Sequence, residues 1–289
     1  MKHLLPASTD HPPSTSMKPP DHSGPEGLGT GNKVPEGSEN AAYENYAAHY
    51  DSAVGKRVRR DWDEVQSLRL DRLPRWIDRV HKDARILDAG CATGYLLGLL
   101  SAHGYTRLTG VDLSPTLAAT ARDRLEDSAC IVQSDLRDFL RQQADGSFDT
   151  VIMHHVLEHI PRDQTIPTLK EIHRCLTPGG FLGIKVPNAS FVLGGAMMFG
   201  DFTHVTHFNE HSLAQVLAAS GYATDRLEII LHPPKLFPPW RHPLHAFLRV
   251  LNRLRWHAHR ATHHALAMLS DQRPASRAFE AELEMLAQR

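Results

Sequence analysis

Three aspartates, each closing a short apolar run, are the first chemically suggestive feature of the sequence: Asp88, Asp112 and Asp135. The first lies in Ile86-Leu87-Asp88-Ala89-Gly90-Cys91-Ala92-Thr93-Gly94, where an acid and two glycines precede a stretch of helical spacing. Glycine permits the tight turn and lets a ligand come close to the backbone. A dinucleotide site would call for G-x-G-x-x-G, with amides and a helix amino terminus facing a pyrophosphate. Asp88 would repel those phosphates, whereas a ligand carrying an ammonium and a sulfonium would be attracted. Asp112, in Leu108-Thr109-Gly110-Val111-Asp112, follows the glycine loop at about the 20-residue separation that suits a carboxylate accepting both ribose hydroxyls. Asp135, in Gln133-Ser134-Asp135-Leu136, is placed to meet an adenine amino group. Each acid alone reads best as an ordinary helix cap. Three at successive strand ends describe a nucleoside site that favours positive charge over a diphosphate.

S-Adenosylmethionine meets that description. The residues expected to hold it are Asp88, Gly90, Cys91, Gly94, Asp112, Leu113, Asp135, Leu136 and His154. Methyl transfer is an in-line displacement, and alignment of the acceptor with the sulfonium methyl can supply about 7–11 kcal/mol of the barrier. A hydroxyl acceptor also needs a proton acceptor, for which imidazole is suited, adding about 10²–10⁴-fold. His154 and His155 close the fourth apolar run, where open α/β sheets place ligands, and His204 and His207 come from an insertion over the same edge. His204 is the favoured base or substrate-orienting residue, with His155 second and His207 third. A satisfied structural histidine is the competing reading for each. His155-Val156-Leu157-Glu158-His159 also fits the inverted zinc-protease pattern H-x-x-E-H. That chemistry needs both histidines on one face of a settled helix and a distant acidic ligand, while here a strand runs into His154 and Pro161 follows at once. No metal ligands are assigned.

Positioning these groups requires short apolar runs that alternate with amphipathic stretches beyond Asp83, the pattern of repeated βα units and a mainly parallel sheet. Strands are expected at Arg85–Asp88, Leu108–Asp112, Ala129–Gln133, Phe148–Met153 and Phe181–Val186. Helices are expected at Tyr95–His103, Pro115–Glu126 behind the cap Ser114, Leu136–Gln142 and Thr165–Leu176. Thr177-Pro178-Gly179-Gly180 should stop the last of these and turn the chain into the fifth strand. Residues 187–208, rich in glycine, methionine and phenylalanine, are a substrate-loop candidate. A helix at Ser212–Ser220 and a strand through about Leu231 follow, and the alternation in Phe279–Met285 predicts a closing strand.

With these elements in place, the sequence resembles the class I S-adenosylmethionine-dependent methyltransferases from about Tyr43 onward. The matching segments are Leu87–Gly94, Gly110-Val111-Asp112-Leu113-Ser114, Phe148-Asp149-Thr150-Val151, His155–Ile160 and Leu176-Thr177-Pro178-Gly179-Gly180. A narrower segment, His204-Val205-Thr206-His207-Phe208 with Ser212-Leu213, is similar to one in bacterial methyltransferases of glycan and secondary-metabolite pathways. The resemblance implies a Rossmann-like α/β fold: a seven-stranded, mostly parallel sheet with helices on both faces and an antiparallel last strand. Helical spacing from Tyr43 and along Trp62, Val65, Leu68, Leu73, Trp76, Ile77 and Val80 already reads as leading helices over 39–82, with Tyr43, Tyr46 and Tyr50 on the first; the resemblance implies that they cover the cofactor, and that an accessory divalent metal sits at Glu158 and His159 in some relatives. The activity implied is O-methylation of a sugar, glycan intermediate or secondary metabolite, with N-methylation the nearest variant. A catalytically silent, S-adenosylmethionine-binding partner subunit is the alternative from another class, and a zinc hydrolase a remote one.

The totals fit this reading. The 289 residues suffice for one α/β domain, 83–289, with additions. A balance of 32 basic and 33 acidic side chains excludes a global field for nucleic acid. Three widely spaced cysteines argue for a reducing compartment, and the opening Met1–Pro6 lacks the apolar run of a signal peptide, so the cytoplasm is expected. Residues 1–38, dominated by proline, glycine, serine and charge, read as a disordered tail. Over 232–275, which has no acid before Asp271, Leu244, Phe247, Leu248, Leu251, Leu254, Ala258, Ala265 and Met268 follow helical spacing beside several arginines. This insert is either an interfacial helix meeting anionic lipid or a lipid-linked acceptor, or a helix packed on the sheet or on a second subunit of a homodimer. Its modest length and hydrophobicity favour packing.

Overall fold

The computed structural model describes residues 73–191, 193–231, 243–269 and 280–289. The expected tail 1–38, most of the leading segment 39–82 and the two ends of the insert, 232–242 and 270–275, lie outside the described residues. The strands are β1 (Arg85–Ala89), β2 (Arg107–Asp112), β3 (Cys130–Gln133), β4 (Phe148–His154), β5 (Leu176–Pro187), β6 (Leu227–Ile230) and β7 (Glu282–Gln288). The helices are α1 (Tyr95–Ala102), α2 (Pro115–Leu125), α3 (Leu136–Arg141), α4 (Arg162–Cys175), α5 (Gly194–Met198), α6 (Glu210–Ala219) and α7 (Pro243–Leu269). Together the strands form one sheet of order β3-β2-β1-β4-β5-β7-β6. β7 runs antiparallel between β5 and β6, and the pairs among β1 to β5 are parallel. The Rossmann-like expectation and its antiparallel last strand both hold.

Period-two alternation sends successive side chains to opposite faces. Ile86 and Ile152 join one buried cluster with Trp76, Leu97 and Leu100, while Leu87, Val151 and Met153 join another with Leu140, Leu169 and Ile172. Each apolar strand is thereby covered on both sides, as parallel sheets require. Arg85 and Asp149 brace the amino ends of β1 and β4 through two side-chain hydrogen bonds of 3.0 and 2.8 Å. The guanidinium holds Asp149 down at about 2, so the Phe148–Val151 segment serves the scaffold.

Several boundaries differ from expectation for local reasons. α4 begins at Arg162 and carries Pro167 within it, in the second turn, where the ring removes an N–H that would otherwise enter the i to i−4 ladder. β5 begins already at Leu176, which pairs with Phe148; the next rung joins Thr150 to Phe181, and Thr177–Gly180 bulge out between them with Gly179 at φ +81. β7 lies three residues later than Phe279–Met285, because its buried run, Leu283–Ala287, continues past the point where the alternation stops. Of the leading segment, the described part holds a 3₁₀ turn, Ile77–Arg79, and the buried Leu73, Trp76, Ile77 and Val80. Trp76 lies over Gly183, where a Cβ would come within 2.1 Å of its ring, and donates through Nε1 to the buried Glu284 at 2.7 Å.

Candidate active site

The strand order reverses between β1 and β4, and in open α/β sheets the crevice at the carboxyl ends of such a pair takes the ligand. The glycine loop leaves β1 there and the histidine turn leaves β4. They touch: a Cβ on Gly90 would lie 2.3 Å from Val156 Cγ2, and Gly90 itself is at φ +77. Backbone amides of Gly90 and Cys91 donate to Val111 O at 2.8 and 3.0 Å, drawing the loop across β2. Ala92, at φ +46, turns its N–H onto Asp112 Oδ2 at 2.8 Å. Gly94, at φ +76, then caps α1. The Cys91 thiol is buried beneath the loop, and burial raises its pKa.

Asp88 is 4% exposed and makes no hydrogen bond through its side chain to any described residue. Burial, and then the neighbouring Asp112 charge, push its carboxyl up to about 7. Asp112 is raised by burial as well, against amides donated by Ser114 to Oδ1 at 2.9 Å and by Ala92 to Oδ2. Each oxygen thus accepts one amide and retains a second lone pair. Leu113 beside it is 58% exposed, an apolar side chain left uncovered next to Asp112. β3 joins the same edge, for Ser134 N donates to Asp112 O at 3.0 Å. Asp135 caps α3, its Oδ1 accepting from Arg137 N and Asp138 N at 2.9 and 3.1 Å, so the capping role accounts for that oxygen. Leu136 starts α3. Thr93, buried with its Oγ1 lacking a hydrogen-bond partner among the described residues, was not singled out from sequence. Hydroxyls in glycine loops are too common to signal a site.

At the end of β4, His154 is paired with Lys185 in the ladder, and its Nε2 is buried without a hydrogen-bond partner among the described residues. Burial, aided by Lys185, lowers its pKa to about 3, leaving it neutral. His155 adopts φ +56, anchored by its N–H on Lys185 O at 2.8 Å. Its ring lies between Glu158 Oε1, 3.4 Å from Nδ1, and Glu282 Oε1, 3.2 Å from Nε2. Burial opposes its charge, but the two carboxylates outweigh that and hold the imidazolium to about 9. His155, one of the candidate bases, thus stands between two acids of this chain. Glu282 was overlooked because it meets the site only through the antiparallel placement of β7.

The insertion folds back on the same turn. Val205 N and Thr206 N donate to Glu158 O at 2.9 and 3.1 Å. His159 Nδ1 lies 2.9 Å from Thr203 Oγ1, which donates to Asp201 Oδ1 at 2.7 Å. His204 stands edge-on to His159 with ring centroids 4.8 Å apart, and its Nδ1 is 3.2 Å from Met198 O. A carbonyl only accepts, so Nδ1 carries the proton and Nε2 is the ring's acceptor. His207 packs edge-on against Phe199 instead, with burial and then His204 lowering its pKa. Glu158, His159 and His204 bring ligand atoms within 4.8 Å of one another and could hold a metal ion. The H-x-x-E-H reading fails on geometry: Leu157–His159 is a single 3₁₀ turn, and His155 and His159 engage different partners. Tyr43, Tyr46 and Tyr50 lie outside the described residues. A depression of about 380 Å³ lined by His81, Asp149 and Thr177 lies at the opposite, amino ends of the strands.

Residues 58–227 match the family model described as a methyltransferase domain. The chain belongs to that family. As a methyltransferase of this family its cofactor is S-adenosylmethionine, in agreement with the charge logic of Asp88. Among curated proteins, a malonyl-[acyl-carrier protein] O-methyltransferase from Laribacter hongkongensis is 27% identical over 204 residues, 65% of each protein. The match thus spans just under two thirds of that relative. A ubiquinone biosynthesis O-methyltransferase from Xanthomonas oryzae pv. oryzae is 31% identical over 188 residues, 61% of this chain and 75% of the relative. A solved S-adenosylmethionine-dependent methyltransferase from Archaeoglobus fulgidus shares the fold, with TM-score 0.56 and 17% identity over 84% of this methyltransferase and 99% of the other chain.

Proposed function

We propose that this methyltransferase transfers the methyl group of S-adenosylmethionine to an oxygen of a small acceptor held under the 187–208 loop. The observation that carries this reading is Asp88, a buried carboxylate beside a second one, at the switch point of the sheet, with no described cationic partner. A like-charged, desolvated pair is costly until a cation arrives. A ligand with an ammonium answers that need, and a diphosphate worsens it. The second lone pairs of Asp112 suit two ribose hydroxyls, Leu113 offers a face for the adenine ring, and Asp135 Oδ2, which the helix cap does not use, suits the adenine amino group. The residues present therefore fit the cofactor.

When bound, S-adenosylmethionine supplies a sulfonium-activated methyl carbon and keeps the C–S bonding pair as the bond breaks. The chain's part is to align the acceptor oxygen, exclude water and receive the proton. His204 is suited to the last task, because Met198 fixes its tautomer with Nε2 as acceptor and the loop seats it against the β4 turn. His155, held as an imidazolium, acts instead by orienting Glu158 and Glu282. The O-methyltransferase names of the two curated relatives support oxygen as the acceptor atom. The test is calorimetric: S-adenosylhomocysteine should bind and NAD should not, and turnover on a panel of hydroxylated acceptors should follow release of the demethylated cofactor. Binding of NAD with no affinity for S-adenosylhomocysteine would refute the proposal; binding without turnover on any hydroxyl acceptor would favour the silent partner subunit.

A further inference from the structure

The long helix of the insert presents its apolar side in a direction that folding does not explain. α7 extends for 27 residues and contains no acidic side chain. The side that meets the protein is made of Trp256, His259 and His263, spaced i, i+3, i+7 on one face. Trp256 Nε1 donates to Glu280 Oε1 at 3.3 Å, His259 packs on Phe191 with ring centroids 5.2 Å apart, and His263 is buried. The other side is apolar and faces solvent, with Val250, Leu251, Leu254 and Met268 between 50% and 61% exposed. Ala258, Ala261 and Ala265, also exposed, complete the stripe. Surface helices of globular proteins turn such a stripe toward the core; α7 does the reverse.

Charge indicates what the stripe meets. Helical spacing puts Arg255 on one border of the stripe and Arg253 and Arg260 on the other, all exposed. An apolar band between cationic borders matches a bilayer whose headgroups are anionic: the aliphatic side chains enter the acyl boundary and the guanidiniums meet phosphates. A second α7 is a poor match, since it would bring arginines against arginines with no acid on either helix to offset them. We propose that α7 docks the protein on an anionic membrane surface, lying in the plane of the interface. No helix among the described residues is long and apolar enough to cross a membrane, so the attachment is peripheral. Phe191, which grips His259, belongs to the substrate loop, whose Leu193, Phe199 and Phe202 are 65–77% exposed. If the function proposed above holds, docking delivers that loop to the lipid surface and the acceptor is membrane-borne. That consequence rests on the methyltransferase reading; the docking itself does not.

The experiment is co-sedimentation of the full chain with vesicles of phosphatidylcholine alone or containing phosphatidylglycerol, without cofactor or acceptor. Binding should appear on the anionic vesicles and fall in high salt. Arg253→Gln/Arg255→Gln/Arg260→Gln should weaken it on the order of 100-fold, about five-fold for each basic side chain. Leu251→Glu/Leu254→Glu should abolish it. All five positions are exposed, so circular dichroism and S-adenosylhomocysteine binding of both variants should match wild type, separating lost docking from lost fold or lost cofactor site. Equal partition onto neutral and anionic vesicles would overturn the proposal. So would wild-type binding by the Leu251→Glu/Leu254→Glu variant. A dimer in sedimentation velocity that this variant dissociates, with no vesicle binding by wild type, would assign the face to a second copy instead.

Discussion

Replacing Asp88 with asparagine should make the cofactor-free protein more stable while weakening its hold on the cofactor. The native state keeps the Asp88 proton up to about pH 7, whereas the unfolded chain releases it near 3.8. Between those values the native state binds more protons than the unfolded one, so stability falls as pH rises and levels off above 7. That interval corresponds to on the order of 4 kcal/mol at about 1.4 kcal/mol for each tenfold in proton affinity. Asp88→Asn abolishes this loss, keeps the shape and retains a group able to hydrogen-bond. Urea denaturation of both proteins at pH 5 and pH 8 reads the difference: the variant's advantage should widen by about 2–3 kcal/mol from the lower pH to the higher, since only the first part of the loss has occurred by pH 5. Calorimetry with S-adenosylhomocysteine should show the variant binding about 10- to 100-fold more weakly, the worth of a hydrogen bond to a charged group. A variant no more stable than wild type at pH 8 would refute the picture of an uncompensated buried carboxylate. Unchanged affinity would remove Asp88 from the cofactor site.

Other outcomes follow from neighbouring groups. His204→Gln should lower kcat by about 10²–10⁴-fold with unaltered S-adenosylhomocysteine affinity, and Zn²⁺, by taking the Nε2 lone pair within the Glu158, His159 and His204 cluster, should inhibit wild type while chelators leave turnover unaffected. His155 owes its raised pKa of about 9 to Glu158 and Glu282 acting against burial, so its contribution to stability is complete below about pH 6.5 and fades as pH climbs through 9. A thermal-shift profile of His155→Gln should therefore lack that alkaline decline. Gly90→Ala should destabilise by about 2 kcal/mol or more, from left-handed backbone cost and from collision with Val156; adding Val156→Ala should recover only the steric part in chemical denaturation.

The portions of this fold that were legible in sequence are those specified by short-range pattern. The β1 loop, the Asp112 strand end and the Ser114 cap depend on neighbours within a few residues, and each lies where it was expected. Glu282 and Glu284 were illegible as site and core residues because their roles arise from β7 lying between β5 and β6, a pairing no local pattern encodes. Asp135 shows the opposite limit: an acid at a strand end looks alike whether it caps a helix or contacts a ligand, and here the cap engages one oxygen. The histidines divide on electrostatics. His154, His155 and His204 are the same residue type, yet burial neutralises the first, two carboxylates charge the second, and a carbonyl fixes the tautomer of the third. The orientation of α7 was likewise beyond periodicity, which detects an apolar stripe but not the direction it faces.

The location of β7 also constrains how the chain can be made. β6 (Leu227–Ile230) is synthesised well before β7 (Glu282–Gln288), yet touches the sheet through β7 alone. Until translation has passed the whole of α7, the nascent protein carries a naked β5 edge, a stranded β6 and, at Trp76, an indole without its carboxylate. Open edges of that kind invite intermolecular pairing. Ribosome-stalled chains ending before residue 282 should accordingly depend on chaperones and aggregate when released, making biosynthesis, rather than the finished fold, the vulnerable stage of this molecule.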